Sequence, residues 1–178
     1  MTNPTYAVRS PTPRRFRWWH AALIFLAANA LSVLPAGFNG DEAFYNSFSR
    51  PAAAPPDWLF PPVWLVLNVT SLVALAWVAN RGVRNRFRTA VLGLEAAGWV
   101  LFAIFNTLYF GLDSPVLGAS VTALGLLVGA ASFLCCLRTE RRAAWLILPR
   151  VLWLGLATYV SVWVALYNAD PFLRAAGI

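Results

Sequence analysis

RPAAAPPDWLFPPVW, residues 50–64, gathers five of the chain's twelve prolines and two of its nine tryptophans. It runs straight into LVLNVTSLVALAWVAN, residues 65–80, which carries no charge. Proline inside a helix removes a hydrogen bond, but in the first turn the missing N–H has no partner to lose. Pro61 and Pro62 therefore mark where a helix begins. Residues 50–56 hold too much proline for helix or sheet and are expected to be extended and stiff. The apolar run that follows is about as long as the roughly 20 residues a bilayer core requires.

The rest of the chain repeats this pattern. Of 178 residues, 60% are hydrophobic and 12% charged, where a soluble domain has about 45–50% and about 25%. The mean hydropathy is +0.62. Five stretches are long and apolar enough to cross a membrane: 18–36, 59–79, 89–111, 115–137 and 145–167. They are too continuous for the alternating strands of a barrel. The fold expected is an all-α integral membrane protein, a bundle of five transmembrane helices over residues 18–168 with a long first loop. Residues 1–17 read as a disordered basic tail and 169–178 as a C-terminal tail. Arg14, Arg15 and Arg17 before an apolar stretch resemble a signal peptide, but no small-residue cleavage site follows, so the stretch reads as a retained span.

The net charge is +7, and every cation is arginine. These arginines lie in short clusters between apolar runs, a topology signal rather than a nucleic-acid footprint. Arg9, Arg14, Arg15 and Arg17 precede the first span. Arg81, Arg84, Arg86 and Arg88 follow the second, and Arg138, Arg141 and Arg142 follow the fourth. The opposite loops hold Asp41, Glu42, Arg50, Asp57, Asp113, Asp170 and Arg174. The positive-inside rule puts the N-terminus in the cytoplasm and the C-terminus outside. Ser114 and Pro115 read as N-cap and first residue of the fourth helix. Pro35 and Gly37 end the first span, and Pro149 is expected to kink the fifth and free carbonyls. DEAFYNSF, residues 41–48, is expected to form a short helix with Phe44, Tyr45 and Phe48 packing down, so that the loop 37–58 lies over the bundle mouth. The alternative is an aromatic belt in which Trp58 and Trp64 only anchor a helix end.

These residues resemble the tryptophan-rich sensory protein, or translocator protein, family. Its first-loop pattern is K-P-x-W-x-P-P-x-W-x-F-x-P-V-W, matched here by Pro51, Pro55, Pro56, Trp58, Phe60, Pro62, Val63 and Trp64, with Arg50 for the lysine. Phe44 and Tyr45 resemble its W-Y. YFGLDSP (109–115) resembles its F-F-G-L-x-S-P, and AAWLILPRVLWLGLATYVS (143–161) its fifth span. The similarity covers about residues 20–168. The departures are marked. Ala53 stands where the family has tryptophan. Phe102 and Phe105 stand in its N-x-x-W, unless one gap brings Asn106 into that motif. Asn68 and Arg150 each replace a tyrosine, and Ser161 an asparagine. The resemblance implies a bundle pocket for tetrapyrroles, sterols or flat aromatic molecules, closed by the first loop, with membrane lipid around it and a homodimer in some members. Porphyrin or haem is thus a ligand to expect, and no cofactor is required. Light-dependent porphyrin breakdown has been proposed for some members, and Ala53 counts against it here. A sterol motif is not completed, since Arg174 lies beyond range of Tyr167.

Glu95 and Arg150 are the ionisable groups deepest within spans. Both sit roughly 10–12 Å from the arginine-rich ends, so they are placed to pair. Either they form a structural salt bridge, or Arg150 anchors a ligand's acid group, or Arg150 caps the carbonyls freed by Pro149. Three helix faces are aromatic or polar while the remainder is aliphatic. One carries Phe60, Trp64, Asn68 and Ser71. Another carries Glu95, Phe102, Phe105, Asn106 and Tyr109, and the last Arg150, Trp153, Ala157, Val160, Ser161 and Val164. They are expected to converge on a ligand. Gly125 and Gly129 form GxxxG, extended by Gly118 and Thr122, which serves packing inside the bundle or across a dimer. Asn29 is expected to bond within the bundle, and His20 to sit at the interface. Cys135 and Cys136 have neither disulfide nor metal spacing. No nucleophile–base pair, metal cluster or phosphate loop appears. The function expected is a membrane receptor for a hydrophobic ligand, in a bacterial inner membrane. The alternatives are a small-molecule transporter or a ligand-free scaffold.

Overall fold

The computed structural model describes residues 15–34, 42–81 and 85–177. The expectations for residues 1–14, for Pro35, Gly37 and Asp41, and for Arg84 lie outside them. The described residues form α1 (Trp18–Val33), α2 (Glu42–Ser47), α3 (Phe60–Asn80), α4 (Arg86–Asn106), α5 (Pro115–Leu137), α6 (Arg141–Tyr167) and α7 (Pro171–Ala175). A 3-10 turn at Asp57–Leu59 leads into α3, and a π-turn at Thr107–Gly111 extends α4. With these extensions, α3, α4, α5 and α6 are long and apolar enough to cross a membrane; α1, described over 16 residues, is shorter. No strand occurs among the described residues.

The helix starts follow local chemistry. Ser114 Oγ accepts from the Leu117 N–H at 3.2 Å, with Pro115 in the first turn of α5. Asn85 caps α4 through the Arg88 N–H at 2.8 Å. Pro61 and Pro62 fall in the first turn of α3. At the far end of α4, Leu112 N–H reaches back to Thr107 and Ser114 N–H to Tyr109, the five-residue spacing of a π-turn. Asp113 then takes φ 51° to reverse the chain into α5.

Two local expectations need correction. Residues 50–56 are not extended throughout. Ala54 N–H bonds to Pro51 O at 2.9 Å, closing a turn. The two central residues, Ala52 and Ala53, carry no ring that would prevent it. Arg150 does not cap carbonyls freed by Pro149. α6 runs through Pro149 without interruption, and the guanidinium turns to side chains on other helices.

α6 packs against α5 and α3, α4 packs against α5, and α1 leans on α4 and α3. The glycines of α5 lie where it meets its neighbours. Gly125 and Gly129 face Leu154 and Val151 of α6, whose side chains lie 3.6–3.7 Å from where a Cβ would stand. The GxxxG face is therefore spent inside the bundle. Those are ordinary contact distances, but Gly118 is tight: a Cβ there would meet Tyr109 Cδ2 at 2.4 Å. Burial is inverted relative to a soluble protein. Leu65, Val100, Leu127 and Leu152 are exposed, while Ser71, Glu95, Ser132 and Arg150 are buried. That is the arrangement hydrocarbon solvent demands.

Candidate functional site

Four helices each send one polar residue to a common point. Arg150 Nη2 donates to Glu95 Oε1 at 2.5 Å, and Arg150 Nη1 to Ser71 Oγ at 2.9 Å. Ser71 Oγ in turn donates to Glu95 Oε2 at 2.9 Å, and Ser132 Oγ to Glu95 Oε1 at 2.5 Å. Glu95 and Ser132 have no exposed surface, and Arg150 is 8% exposed. The carboxylate is thus neutralised and accepts three hydrogen bonds, which is how an ion pair survives in a medium of low polarity. Of the alternatives left open for Arg150, the pairing with Glu95 is the one present.

Above this network lies a cavity of about 580 Å³. Arg150 forms part of its floor. All twelve residues singled out as ligand contacts lie on its lining: Trp58, Phe60, Trp64, Asn68, Phe102, Phe105, Asn106, Arg150, Trp153, Ala157, Val160 and Ser161. Gly125 and Gly129 also border it. The walls are organised by ring contacts. Phe60 meets Trp153 edge-on at 5.7 Å, Trp64 tilts against Phe102 at 5.2 Å, and Phe105 stacks on Tyr109 at 5.4 Å. Tyr45, Phe25, Asn29 and Trp99 line it too and escaped the sequence reading as contacts. Trp99 lies one turn beyond Glu95, so the period of α4 contained that signal. Ser132 likewise continues the small-residue face of Gly125 and Gly129.

The described part of the first loop sits over the opening. Phe44 packs against Phe48, Tyr109 and Phe110. Tyr45 donates to the Pro55 carbonyl at 2.8 Å, and the Arg50 guanidinium lies 4.5 Å over the Tyr45 ring. Asn46 bonds Asp57 at 2.7 Å. Asn168, at the end of α6, accepts from the Ser49 N–H at 2.8 Å and donates to its carbonyl at 2.9 Å. Trp58 is 66% exposed at the rim, whereas Trp64 is inside.

The opposite end is shut. Ala74, Val78, Val91, Cys136, Ala143, Ala144 and Ile147 form a cluster with no exposed surface, and none of them lines the cavity. Beyond it Arg81 pairs with Glu140, and Arg88 holds the carbonyls of Val78 and Ala79. His20 stacks between Trp19 and Phe16 and accepts the Arg17 N–H, away from the cavity. Asn29, expected to bond within the bundle, donates to the Phe25 carbonyl one turn back on its own helix at 2.8 Å. Among the described residues no cluster of metal-ligating side chains occurs.

Fold and site together define an integral membrane protein, an α-helical bundle holding a one-ended aromatic cavity. Comparison with known proteins narrows this. The TspO/MBR family model matches residues 21–166, and the chain belongs to that family. It is 29% identical over 125 residues to the Tryptophan-rich protein TspO of Chlorobaculum tepidum, covering 70% of this chain and 79% of that one. It is 27% identical over 154 residues to the Tryptophan-rich protein TspO of Archaeoglobus fulgidus, covering 83% and 99%. With Protein CrtK of Rhodobacter capsulatus it shares 30% identity over 148 residues, covering 80% and 89%. These distances fit a divergent branch.

Proposed function

We propose that this protein is a membrane receptor for a flat hydrophobic molecule, a tetrapyrrole such as porphyrin or haem or a similar aromatic or sterol-like compound, held under the first loop. One observation carries the reading: the cavity is lined with aromatic rings, open at the loop end and sealed at the arginine-rich end by seven fully buried residues. Aromatic walls with a few fixed polar groups suit a flat apolar ligand. The seal favours binding with a sensory or regulatory role over transport, which needs access from both sides. A scaffold using the GxxxG face is disfavoured because α6 already occupies that face. The protein sits in the inner membrane with its N-terminus in the cytoplasm, and it needs no cofactor.

The test is a titration of the purified chain with protoporphyrin and with haem, following tryptophan fluorescence and melting temperature beside Trp64→Ala. Saturable quenching with a raised melting temperature, lost in the variant, is the expected result. Absence of saturation with both would refute tetrapyrrole binding. Uptake of a bound porphyrin into sealed proteoliposomes would replace the receptor by a transporter.

A further inference from the structure

The floor of the cavity has an unusual balance of hydrogen-bonding groups. A guanidinium carries five N–H donors and no acceptor. Arg150 spends one N–H on Ser71 and one on Glu95. The residue lines the cavity, so its remaining donors are left for what enters. Asn68, 5% exposed, lies three residues before Ser71 on α3 and lines the same region. Its amide can donate or accept. The floor thus offers the remaining N–H groups of Arg150 and, apart from Asn68, little to accept.

The charge is already balanced. Glu95 cancels Arg150 within the network, at 2.5 Å. A ligand carboxylate brought to this floor would add an unpaired negative charge inside the membrane, which costs several kcal/mol. A plain hydrocarbon end would leave the donors without partners. A neutral carbonyl does neither, because it accepts a charge-assisted bond and adds no charge.

We propose that the floor made by Arg150, Glu95, Ser71 and Asn68 selects ligands whose inner end is a neutral hydrogen-bond acceptor, a ketone, lactam or ester carbonyl on a flat apolar body, over either a free carboxylate or a bare hydrocarbon. This deepens the receptor reading above and rests on it. It also turns the acid-anchoring role open to Arg150 in the sequence into its opposite.

Two probe pairs test it in the full chain reconstituted in nanodiscs. Protoporphyrin dimethyl ester and the free diacid differ in charge but keep their carbonyls. Anthraquinone and anthracene differ in carbonyls but keep their shape. Expected is tighter binding of the ester than of the diacid by about a hundredfold, the scale of an uncompensated buried charge, and of anthraquinone than of anthracene by about tenfold, the scale of one hydrogen bond to a charged group. The double variant E95L/R150L removes both charges together and leaves none stranded. In it the preference for anthraquinone should collapse, because the guanidinium donors are gone, while the preference for the ester should persist, because a lone carboxylate is no better tolerated by leucines; comparing the two chains cancels partitioning into lipid. If that variant does not fold, the wild-type preferences decide alone. Tighter binding of the diacid, or an anthraquinone preference unchanged in the double variant, would overturn the selection while leaving the receptor reading intact. Saturation by none of the four probes would overturn the receptor reading and the selection with it.

Discussion

Glu95 has no exposed surface and yet accepts from Arg150, Ser71 and Ser132. The pair itself adds little net stability, because two charges must leave water to form it. Its loss is another matter. Glu95→Gln leaves the guanidinium inside the membrane without a counter-charge, and should cost about 3–5 kcal/mol. Ser132→Ala removes one hydroxyl from a charged acceptor and should cost less, about 1.5–3 kcal/mol. Unfolding by a denaturing detergent, followed by circular dichroism, would rank them. A smaller loss for Glu95→Gln than for Ser132→Ala would mean that packing, not charge, holds these helices in register.

Between elements, the close passage of α5 against the π-turn is the most exacting contact. A methyl at Gly118 would stand 2.4 Å from the Tyr109 ring. Gly118→Ala should destabilise by about 1–3 kcal/mol, the usual range for overpacking. The penalty should shrink in a Tyr109→Leu background, where the ring is gone. A double-mutant cycle on unfolding measures this, and an unchanged penalty would place the strain elsewhere. The loop is tied differently, by polar bonds at the surface. Asn168 holds both backbone groups of Ser49 from 119 residues away. Asn168→Ala should leave the bundle's melting temperature nearly unchanged and speed the release of bound protoporphyrin in stopped-flow measurements. Equal release rates would show that these bonds do not restrain the loop.

At the scale of the whole molecule the two ends differ in kind. The loop end carries the cavity opening, with Trp58 at its rim. The other carries the hydrophobic seal and the Arg81–Glu140 pair. The charge pattern predicts that the first end faces outside. Single cysteines at Trp58 and Arg142, in a chain with Cys135 and Cys136 replaced by alanine, would report it. A membrane-impermeant maleimide added to intact cells should label the first and spare the second. The reverse pattern would invert the orientation.

Much of this architecture was written locally. Long uncharged runs dictate membrane helices because an unpaired backbone group in hydrocarbon is too costly to leave. Ser114–Pro115 and Pro61–Pro62 mark helix starts for reasons contained in a few neighbouring residues. Helical period alone put Trp64 with Asn68 and Arg150 with Trp153, so the cavity walls were legible one helix at a time. The turn at Pro51–Ala54 was not, because proline content describes stiffness and not where a chain bends. The sequence by itself therefore determined which faces are polar or aromatic, and the family to which the chain belongs. Only the tertiary structure decided that Arg150 turns to Glu95, that Ser132 completes their network, and that the glycine face of α5 is filled by α6. Those outcomes depend on contacts between residues 22 to 79 positions apart. Local chemistry can propose such partners, but which ones meet is set by how whole helices pack.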